Sequence, residues 1–268
     1  MDWSKYAQVY DFMSENNPAY QQLIIEMRVA SVGALATLDG EEFSILDIGA
    51  GTGNLTVQLA STFPKATVIH VDPDDEMLHR AKEKAAALDI SNIEFLKSKA
   101  EDLHFADQSF DLVTSMHSLY AISDPSDLIR KVAGWLRSGG SAVMCDFGRV
   151  MNTTDWSKYL LKSWHRKYGF FRTAILGARA LSVRSSNNEI SKKQKSGEYW
   201  THGLEEFEGL FREAGLRVVS SSETYRGFSD LVVAGKQAEA FNSDVALRET
   251  RAEHAADRKA SVEATEEV

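Results

Sequence analysis

The sequence contains few of the residues that hold small secreted domains together. Its 268 residues include one cysteine, Cys145, and four prolines. A single cysteine has no internal partner, which excludes a scaffold built on disulfides. No apolar run approaches the ~18 residues that span a bilayer, and the first residues lack the basic-then-apolar layout of a signal peptide. These absences predict a cytoplasmic protein that makes no membrane contact.

Acidic residues outnumber basic ones, but the charge is unevenly distributed. The formal net charge is −9, whereas residues 149–200 contain 11 Lys/Arg and three Asp/Glu, a net charge of +8. Because the chain is acidic overall, the sequence shows no extended basic surface of the kind that binds nucleic acid. Residues 237–268 hold eight acids, four bases and few large apolar groups. We therefore expect this end to be a charged tail, partly helical or disordered.

From residue 44, short apolar segments alternate with helical patterns. The apolar segments are 44–48, 66–71, 92–97, 109–115, 140–147, 216–222 and 229–235, and the helical patterns are 54–62, 74–88, 124–137 and 203–214. This alternation predicts an α/β fold whose doubly wound, mostly parallel seven-stranded sheet has helices on both faces. Only six residues separate the last two segments, too few for a crossover, so the last strand should be antiparallel.

Two further segments complete the predicted domain of residues 1–236. Helical spacing of apolar residues, with the start signal Asn17-Pro18, predicts helices within residues 1–40. Residues 150–200, rich in aromatic and basic residues, form an insertion between the fifth and sixth strands. We expect its first half to be helical and residues 185–188, Ser-Ser-Asn-Asn, to be a loop.

The densest motif follows the first predicted strand and reads Asp-Ile-Gly-Ala-Gly-Thr-Gly-Asn at residues 47–54. Glycines let a ligand approach the backbone, and free amides at a helix start favour an anionic group. A dinucleotide site would need a glycine where Asn54 stands. Asp47 would repel a pyrophosphate but suits a ligand that carries an ammonium group. Another α/β nucleotide site remains the alternative.

The second predicted strand ends in Asp72. A carboxylate at this position can accept both hydroxyls of a ribose. Pro73, Met77 and Leu78, which follow, could line an adenine ring. The alternative is that Asp72 caps the helix predicted over residues 74–88.

Together these features resemble the class I S-adenosylmethionine-dependent methyltransferases, in particular the branch that acts on small molecules. The resemblance covers residues 40–148 well and 200–235 in outline. Besides the glycine loop and Asp72, it depends on Ala-Glu-Asp-Leu at 100–103, on Ser-Phe-Asp-Leu-Val at 109–113 and on a turn, Leu-Arg-Ser-Gly-Gly, at 136–140.

The resemblance implies S-adenosylmethionine as the cofactor. The residues that it places at the cofactor are Asp47, Gly49, Ala50, Gly51, Gly53, Asp72, Pro73, Met77, Ala100, Glu101, Ser115 and Tyr10. Lys99 stands where relatives often have an acid that receives the adenine amino group. That contact then falls to Glu101, to Asp102 or to the main chain. Alternatively, these two acids cap a turn. Tyr6, like Tyr10, would close over the cofactor.

The resemblance also places residues 114–120 at the reacting centre. His117 and Tyr120 are the candidate catalytic residues, as positioning groups or as a general base. The segment lacks the N/D-P-P-Y signature of enzymes that modify planar nitrogens. No His/Cys/Asp cluster has the spacing of a metal site. His165, His202 and Tyr199 could also reach the acceptor pocket.

The insertion should form a lid over that pocket. Its aromatic and basic composition favours an aromatic acceptor that carries an anionic group, unless the bases merely cover solvated helix faces. We expect a monomer or homodimer that methylates O, N or C of a small metabolite. The alternatives are an acceptor bound to a carrier protein and a binding module without catalytic activity.

Overall fold

The computed structural model describes residues 2–237. The predicted charged tail, apart from Gln237, lies outside the described residues. The described part forms one compact unit.

Seven strands form a single sheet in the order β3-β2-β1-β4-β5-β7-β6. The strands are β1 Ser44–Ile48, β2 Thr67–Asp72, β3 Ile93–Lys97, β4 Phe110–Met116, β5 Leu136–Phe147, β6 Arg217–Thr224 and β7 Ser229–Gly235. The first five strands are parallel, whereas β7 is antiparallel to both β5 and β6. The predicted fold class is therefore confirmed.

Within residues 2–237, seven α-helices accompany the sheet. They are α1 Trp3–Asn16, α2 Pro18–Leu35, α3 Asn54–Thr62, α4 Asp75–Ala87, α5 Pro125–Trp135, α6 Thr153–Ser196 and α7 Leu204–Glu213. Neighbouring strand residues face opposite sides of the sheet: Ile45 packs with the buried residues of α2 and α3, and Leu46 with those of α5 and α7. Because both faces are covered, the central strands β1, β4 and β7 are almost entirely buried, whereas the edge strands β3 and β6 are more exposed.

The start of α2 was correctly predicted at Asn17-Pro18. The Asn17 side chain accepts hydrogen bonds from the amides of Ala19 and Tyr20, and Pro18 occupies the first helical turn. Both are favoured at these positions, since the cap satisfies amides that have no partner within the helix. The helices predicted within residues 1–40 are thus α1 and α2, which meet at Asn17.

The α6 segment is a helical hairpin. Gly169 interrupts it with φ 75° and ψ −177°, a conformation open to glycine because it has no Cβ. The arms, 153–168 and 170–196, run antiparallel: Thr153 donates to Asn188 at 2.7 Å, and Trp164 packs against Leu176. We refer to residues 153–196 as the hairpin and to residues 165–175 as its tip.

Two local predictions were wrong. Residues 185–188 are helical, because the side-chain oxygen of Asn187 accepts a hydrogen bond from Tyr6 and Ile190 is buried, so tertiary contacts override the turn propensity. The predicted turn at 136–140 lies inside β5. There the pairing with β4 shifts register, and Gly139 adopts φ +83°.

Candidate active site

A cavity of about 570 Å³ lies at the carboxyl edge of the sheet, where β1 neighbours both β2 and β4. The strand order reverses here, and ligands of open α/β sheets bind at such a switch point. Of the predicted site residues, the wall contains Tyr10, Asp47, Gly49, Ala50, Gly51, Asp72, Pro73, Met77, Ala100, Glu101, His117 and Tyr120. Gly53 and Ser115 lie outside it.

The three glycines of the loop have different surroundings. All adopt positive φ, between 58° and 76°. A Cβ on Gly49 would lie 2.4 Å from the Cβ of Ser118, and one on Gly53 would lie 2.9 Å from the Cβ of Ala81. These two glycines therefore allow the loop to pack against its neighbours. A Cβ on Gly51 would meet only the Met77 sulfur, at 3.8 Å, and would project into open space beside the cavity.

The Asp47 carboxylate is held by two threonines. Its oxygens accept hydrogen bonds from Thr56 Oγ1 at 2.7 Å and from Thr114 Oγ1 at 2.8 Å. Thr56 Oγ1 also lies 2.9 Å from His70 Nδ1. Burial raises the pKa of Asp47 to about 6, against the lowering effect of the two hydroxyls. Sequence reasoning did not identify Thr56, which lies outside the glycine motif, and it placed Thr114 in the segment at the reacting centre but not beside Asp47.

The Asp72 carboxylate lies at the end of β2 and braces the glycine loop. It accepts hydrogen bonds from the amides of Gly51 and Asp74, each at 2.9 Å. Burial raises its pKa to about 6. The cap of α4 is Asp74, whose side chain accepts from the amides of Glu76 and Met77. The alternative in which Asp72 caps this helix is therefore wrong.

Glu101 connects two segments of the cavity wall. Its Oε1 accepts hydrogen bonds from the backbone amide and the hydroxyl of Ser123, at 3.2 and 3.3 Å. These bonds join Glu101 to a segment 22 residues away rather than to its own turn, and Glu101 remains on the wall. Ser115 is buried, and its Oγ lies 2.6 Å from the Oγ of Ser118.

Helix α1 closes the cavity over the glycine loop and is fixed there by a polar clasp. Asp11 accepts hydrogen bonds from Thr52 Oγ1 at 2.6 Å and from Lys84 Nζ at 3.0 Å, and Lys84 also donates to the carbonyl of Thr52 at 2.8 Å. Tyr10, one residue earlier, lines the cavity and lies 2.9 Å, oxygen to oxygen, from Tyr20. The clasp was not identified from sequence because its three residues are far apart in the chain.

The other half of the cavity is aromatic and apolar. Its wall consists of Trp3, Tyr6, Phe147, Trp156 and Tyr225, with Met116, Met151, Leu160 and Ile190. The hairpin contributes through its base, so it covers the cavity. None of the 11 Lys/Arg within residues 149–200 lies on the wall, and neither do His165, His202 and Tyr199. Arg149, for example, pairs with Asp230 and Glu223. The insertion therefore offers this cavity aromatic rings rather than positive charge.

His117 and Tyr120 face this aromatic half but are poor bases. His117 has φ +55°, its Nε2 lies 2.8 Å from Ser229 Oγ, and its ring stacks on Phe147 at 4.0 Å. Burial lowers the pKa of His117 to about 3 and raises that of Tyr120 well above its ordinary value. Both are therefore neutral near pH 7, and the arrangement suits positioning rather than proton abstraction.

Metal ligation and membrane spanning find no support in residues 2–237. Within this range, no cluster of three or more His, Cys, Asp or Glu residues could hold a metal ion. None of the helices in the same range combines the length and apolar character needed to span a bilayer.

Comparisons with known proteins agree with the geometry. A family model described as a methyltransferase domain matches residues 45–140. The chain is 36% identical over 120 residues to a demethylmenaquinone methyltransferase from Clavibacter sepedonicus, an alignment that covers 45% of this chain and 46% of the relative. The chain thus spans about half the length of that protein. It is 26% identical to the 27-O-demethylrifamycin SV methyltransferase from Amycolatopsis mediterranei, over 69% of this chain and 72% of the relative.

A solved structure supports the fold in particular. A SAM-dependent methyltransferase from Aquifex aeolicus superposes with a TM-score of 0.52 at 15% identity, over 85% of this chain and 97% of that one. The matched domain carries the glycine loop, and the strand order places that loop at the switch point of the sheet. Residues 45–140 therefore match a methyltransferase domain, and the chain is similar to the class I S-adenosylmethionine-dependent methyltransferases.

Proposed function

We propose that this protein transfers a methyl group from S-adenosylmethionine to a small, largely apolar, aromatic acceptor. The observation that carries the proposal is one continuous cavity, which joins a polar half at the glycine loop to an aromatic half under the hairpin. A cavity of this size and lining is typical of a site that encloses a small molecule.

The residues of the polar half fit S-adenosylmethionine. Gly51 has no Cβ beside the cavity, so a ligand can approach the loop backbone. Asp72 can accept the ribose hydroxyls through lone pairs that its two amide bonds leave free. Asp47 provides a buried negative charge for the ammonium group, and Met77 and Ala100 provide apolar contacts for the adenine. When bound, the cofactor supplies an electrophilic methyl group on a sulfonium.

The aromatic half would align the acceptor and exclude water. Orientation of this kind can supply much of the acceleration of an in-line displacement. Since His117 and Tyr120 are poor bases, we infer an acceptor acidic enough to lose its proton to water before transfer, such as an acidic phenol, an enol or an acidic carbon. The resulting anion bonds to the methyl carbon as the sulfonium C–S bond breaks, and S-adenosylhomocysteine is the leaving group. The names of the two curated relatives, which concern demethylmenaquinone and demethylrifamycin, agree with a small-molecule acceptor.

The proposal can be tested by incubating the purified protein with methyl-labelled S-adenosylmethionine and a panel of phenols, enols, amines and carrier-bound acyl groups. We expect label in phenolic or enolic products, detected by mass spectrometry. Transfer to carrier-bound acceptors alone would contradict a small acceptor. Cofactor binding without turnover on any member would favour the non-catalytic alternative.

Replacing Trp156 by phenylalanine tests the acceptor side. Trp156 lines the cavity, and its buried Nε1 has no hydrogen-bond partner among the described residues. We propose that a polar atom of the acceptor pairs with it. Trp156→Phe should then raise the acceptor KM by roughly fivefold, from the loss of about 1 kcal/mol, with cofactor affinity unchanged.

Trp164→Phe is the matched control in the same hairpin arm. The Nε1 of Trp164 donates to the carbonyl of Asn16 at 2.6 Å, so its removal should lower the free energy of unfolding by about 1 kcal/mol and leave KM unchanged. An equal KM for Trp156→Phe and the parent would show that the indole nitrogen does not contact the acceptor.

Cofactor binding should depend on pH through Asp47. In the free protein the pKa of this carboxyl is about 6, and a bound cation lowers it because the charged form gains a partner. The free protein therefore binds more protons than the complex near pH 6. Affinity should rise with pH from about 5 to 7, by up to ~tenfold per unit below the pKa.

Proton release on cofactor binding is measured by calorimetry at pH 6 in buffers of different ionisation enthalpy. The observed binding enthalpy should vary with the buffer in the sense that corresponds to release of protons. Asp47→Asn should bind more weakly and lose the part of the pH dependence that Asp47 causes, whereas Asp72, whose pKa is also about 6, keeps its own contribution. Proton uptake, or an affinity that does not change with pH, would contradict a cation beside Asp47.

A further inference from the structure

The hairpin tip presents the two most exposed large apolar side chains of the described residues, Phe171 and Phe170, together with Ile175. Phe171 is 85% exposed, Phe170 is 70% exposed and Ile175 is 62% exposed. The two phenylalanine rings lie 5.8 Å apart, centre to centre. Gly169 turns the chain here, so these side chains stand at the end of two antiparallel helices. Large apolar side chains are also exposed elsewhere, for example Val29 of α2 at 58%, but the tip groups the two most exposed ones, both aromatic. A cluster of this kind marks an interaction site.

The apolar side chains of the tip are surrounded by positive charge. Residues 156–188 contain seven Lys/Arg and no Asp or Glu. Arg166, Lys167 and Arg172 are exposed at the tip and form no ion pair with a carboxylate of the described residues. Lys167 and Arg172 lie over the Tyr168 ring at 5.1 and 4.6 Å. Since the whole chain carries −9, this basic end is set apart from the remaining surface.

The combination of shape and charge favours a lipid surface over a protein partner. Protein docking sites of comparable hydrophobicity usually offer a packed patch or groove, whereas Phe170 and Phe171 project from the end of the hairpin. Exposed phenylalanines next to Lys and Arg are typical of segments that enter the interface of a membrane. Each base near an anionic leaflet adds about 1 kcal/mol of attraction.

We propose that the tip docks onto an anionic lipid bilayer, with Phe170, Phe171 and Ile175 in the interface and the neighbouring bases on the headgroups. This peripheral contact needs no spanning helix, but it departs from the sequence-based expectation of no membrane contact. The base of the hairpin covers the aromatic cavity through Trp156 and Ile190. Docking would therefore hold this covering within about 20 Å of the bilayer, the length of the 13 helical residues from Trp156 to Gly169.

Vesicle co-sedimentation of the full chain tests this inference independently of methyl transfer. The probes are vesicles of phosphatidylcholine alone and of phosphatidylcholine with phosphatidylglycerol in about a 2:1 ratio. The parent should bind the anionic vesicles, and this binding should weaken as the salt concentration increases. Phe170→Ser with Phe171→Ser should weaken binding at least about tenfold. Arg166→Gln, Lys167→Gln and Arg172→Gln together should abolish the preference for anionic vesicles.

The matched control removes two apolar side chains elsewhere. Val29 and Leu88 are 58% and 56% exposed on α2 and at the end of α4. Val29→Ser with Leu88→Ser should bind vesicles like the parent, and all variants should bind S-adenosylmethionine with unchanged affinity. The proposal is overturned if the parent does not bind anionic vesicles, or if the control loses binding equally.

Two further outcomes would also reject a lipid surface. If sedimentation velocity shows self-association that the phenylalanine variant abolishes, and vesicles do not bind, the tip is a contact between copies of this chain. If an acidic acyl carrier protein binds the tip and vesicles do not, the partner is a protein.

Discussion

Asp72→Ala is expected to weaken S-adenosylmethionine binding by about 3 kcal/mol, or roughly 100-fold. In our proposal this carboxylate accepts two ribose hydroxyls. It also fixes the glycine loop through the amide of Gly51. The variant therefore removes the ligand contact and loosens the loop that surrounds the cofactor. Isothermal titration calorimetry measures the change directly.

The loss of Asp72 also lowers the stability of the free protein. The experiment has to separate this effect from the loss of cofactor affinity. The amides of Gly51 and Asp74 lose their partner, so we expect the free energy of unfolding to fall by about 1–2 kcal/mol. Asp75→Ala is the control, because this nearby carboxylate is 79% exposed and pairs only with Lys97 at the surface. It should change affinity less than about twofold. Parent-like affinity of Asp72→Ala would make the ribose assignment wrong.

Gly49→Ala is expected to lower the free energy of unfolding by about 3 kcal/mol. The new Cβ would lie 2.4 Å from the Cβ of Ser118, and φ at this position is +63°. Steric overlap and backbone strain therefore act together, and relief requires a shift of the segment that carries His117 and Tyr120. Urea denaturation of the free protein measures the loss.

Gly33→Ala provides the contrast. Gly33 lies in α2, where an added Cβ would have no atom within 4 Å. Alanine is favoured over glycine in a helix, so this variant should gain about 0.5–1 kcal/mol. If both substitutions had the same small effect, the tight packing of the glycine loop against Ser118 would be refuted.

The strands and the glycine loop could be predicted because their signals are local. Short Val- and Ile-rich segments, helical periodicity between them and glycines after β1 each fit within about a dozen residues of sequence. The antiparallel direction of β7 followed from the length of one connection. Local propensity also explains why Asn17-Pro18 gave the start of α2 correctly.

Contacts between distant residues could not be predicted. The clasp of Asp11, Thr52 and Lys84 joins positions 41 and 73 residues apart, and no local pattern signals it. The hairpin replaced a predicted loop because its second arm packs against the first arm and against α1. The helix cap could not be assigned from sequence either, because Asp72 and Asp74 both precede α4. Their hydrogen bonds show that Asp74 caps the helix and that Asp72 holds the glycine loop.

The insertion shows a second limit of sequence-based prediction, which concerns where its charged side chains lie. Composition correctly located positive charge and aromatic rings in residues 149–200, but it could not tell which side of a helix carries each. In the structure the rings of the hairpin base line the cavity, whereas the bases lie outside it. The rings therefore support the proposal of an aromatic acceptor, and the bases support the separate proposal of an anionic surface as a partner.

Titration calorimetry with three nucleoside ligands would decide whether the pocket at the ends of β1 and β2 holds the methyl donor. S-adenosylmethionine and S-adenosylhomocysteine should each bind at one site per chain, and NAD should give no heat. Clean binding of NAD, with no heat from either sulfur nucleoside, would contradict the account.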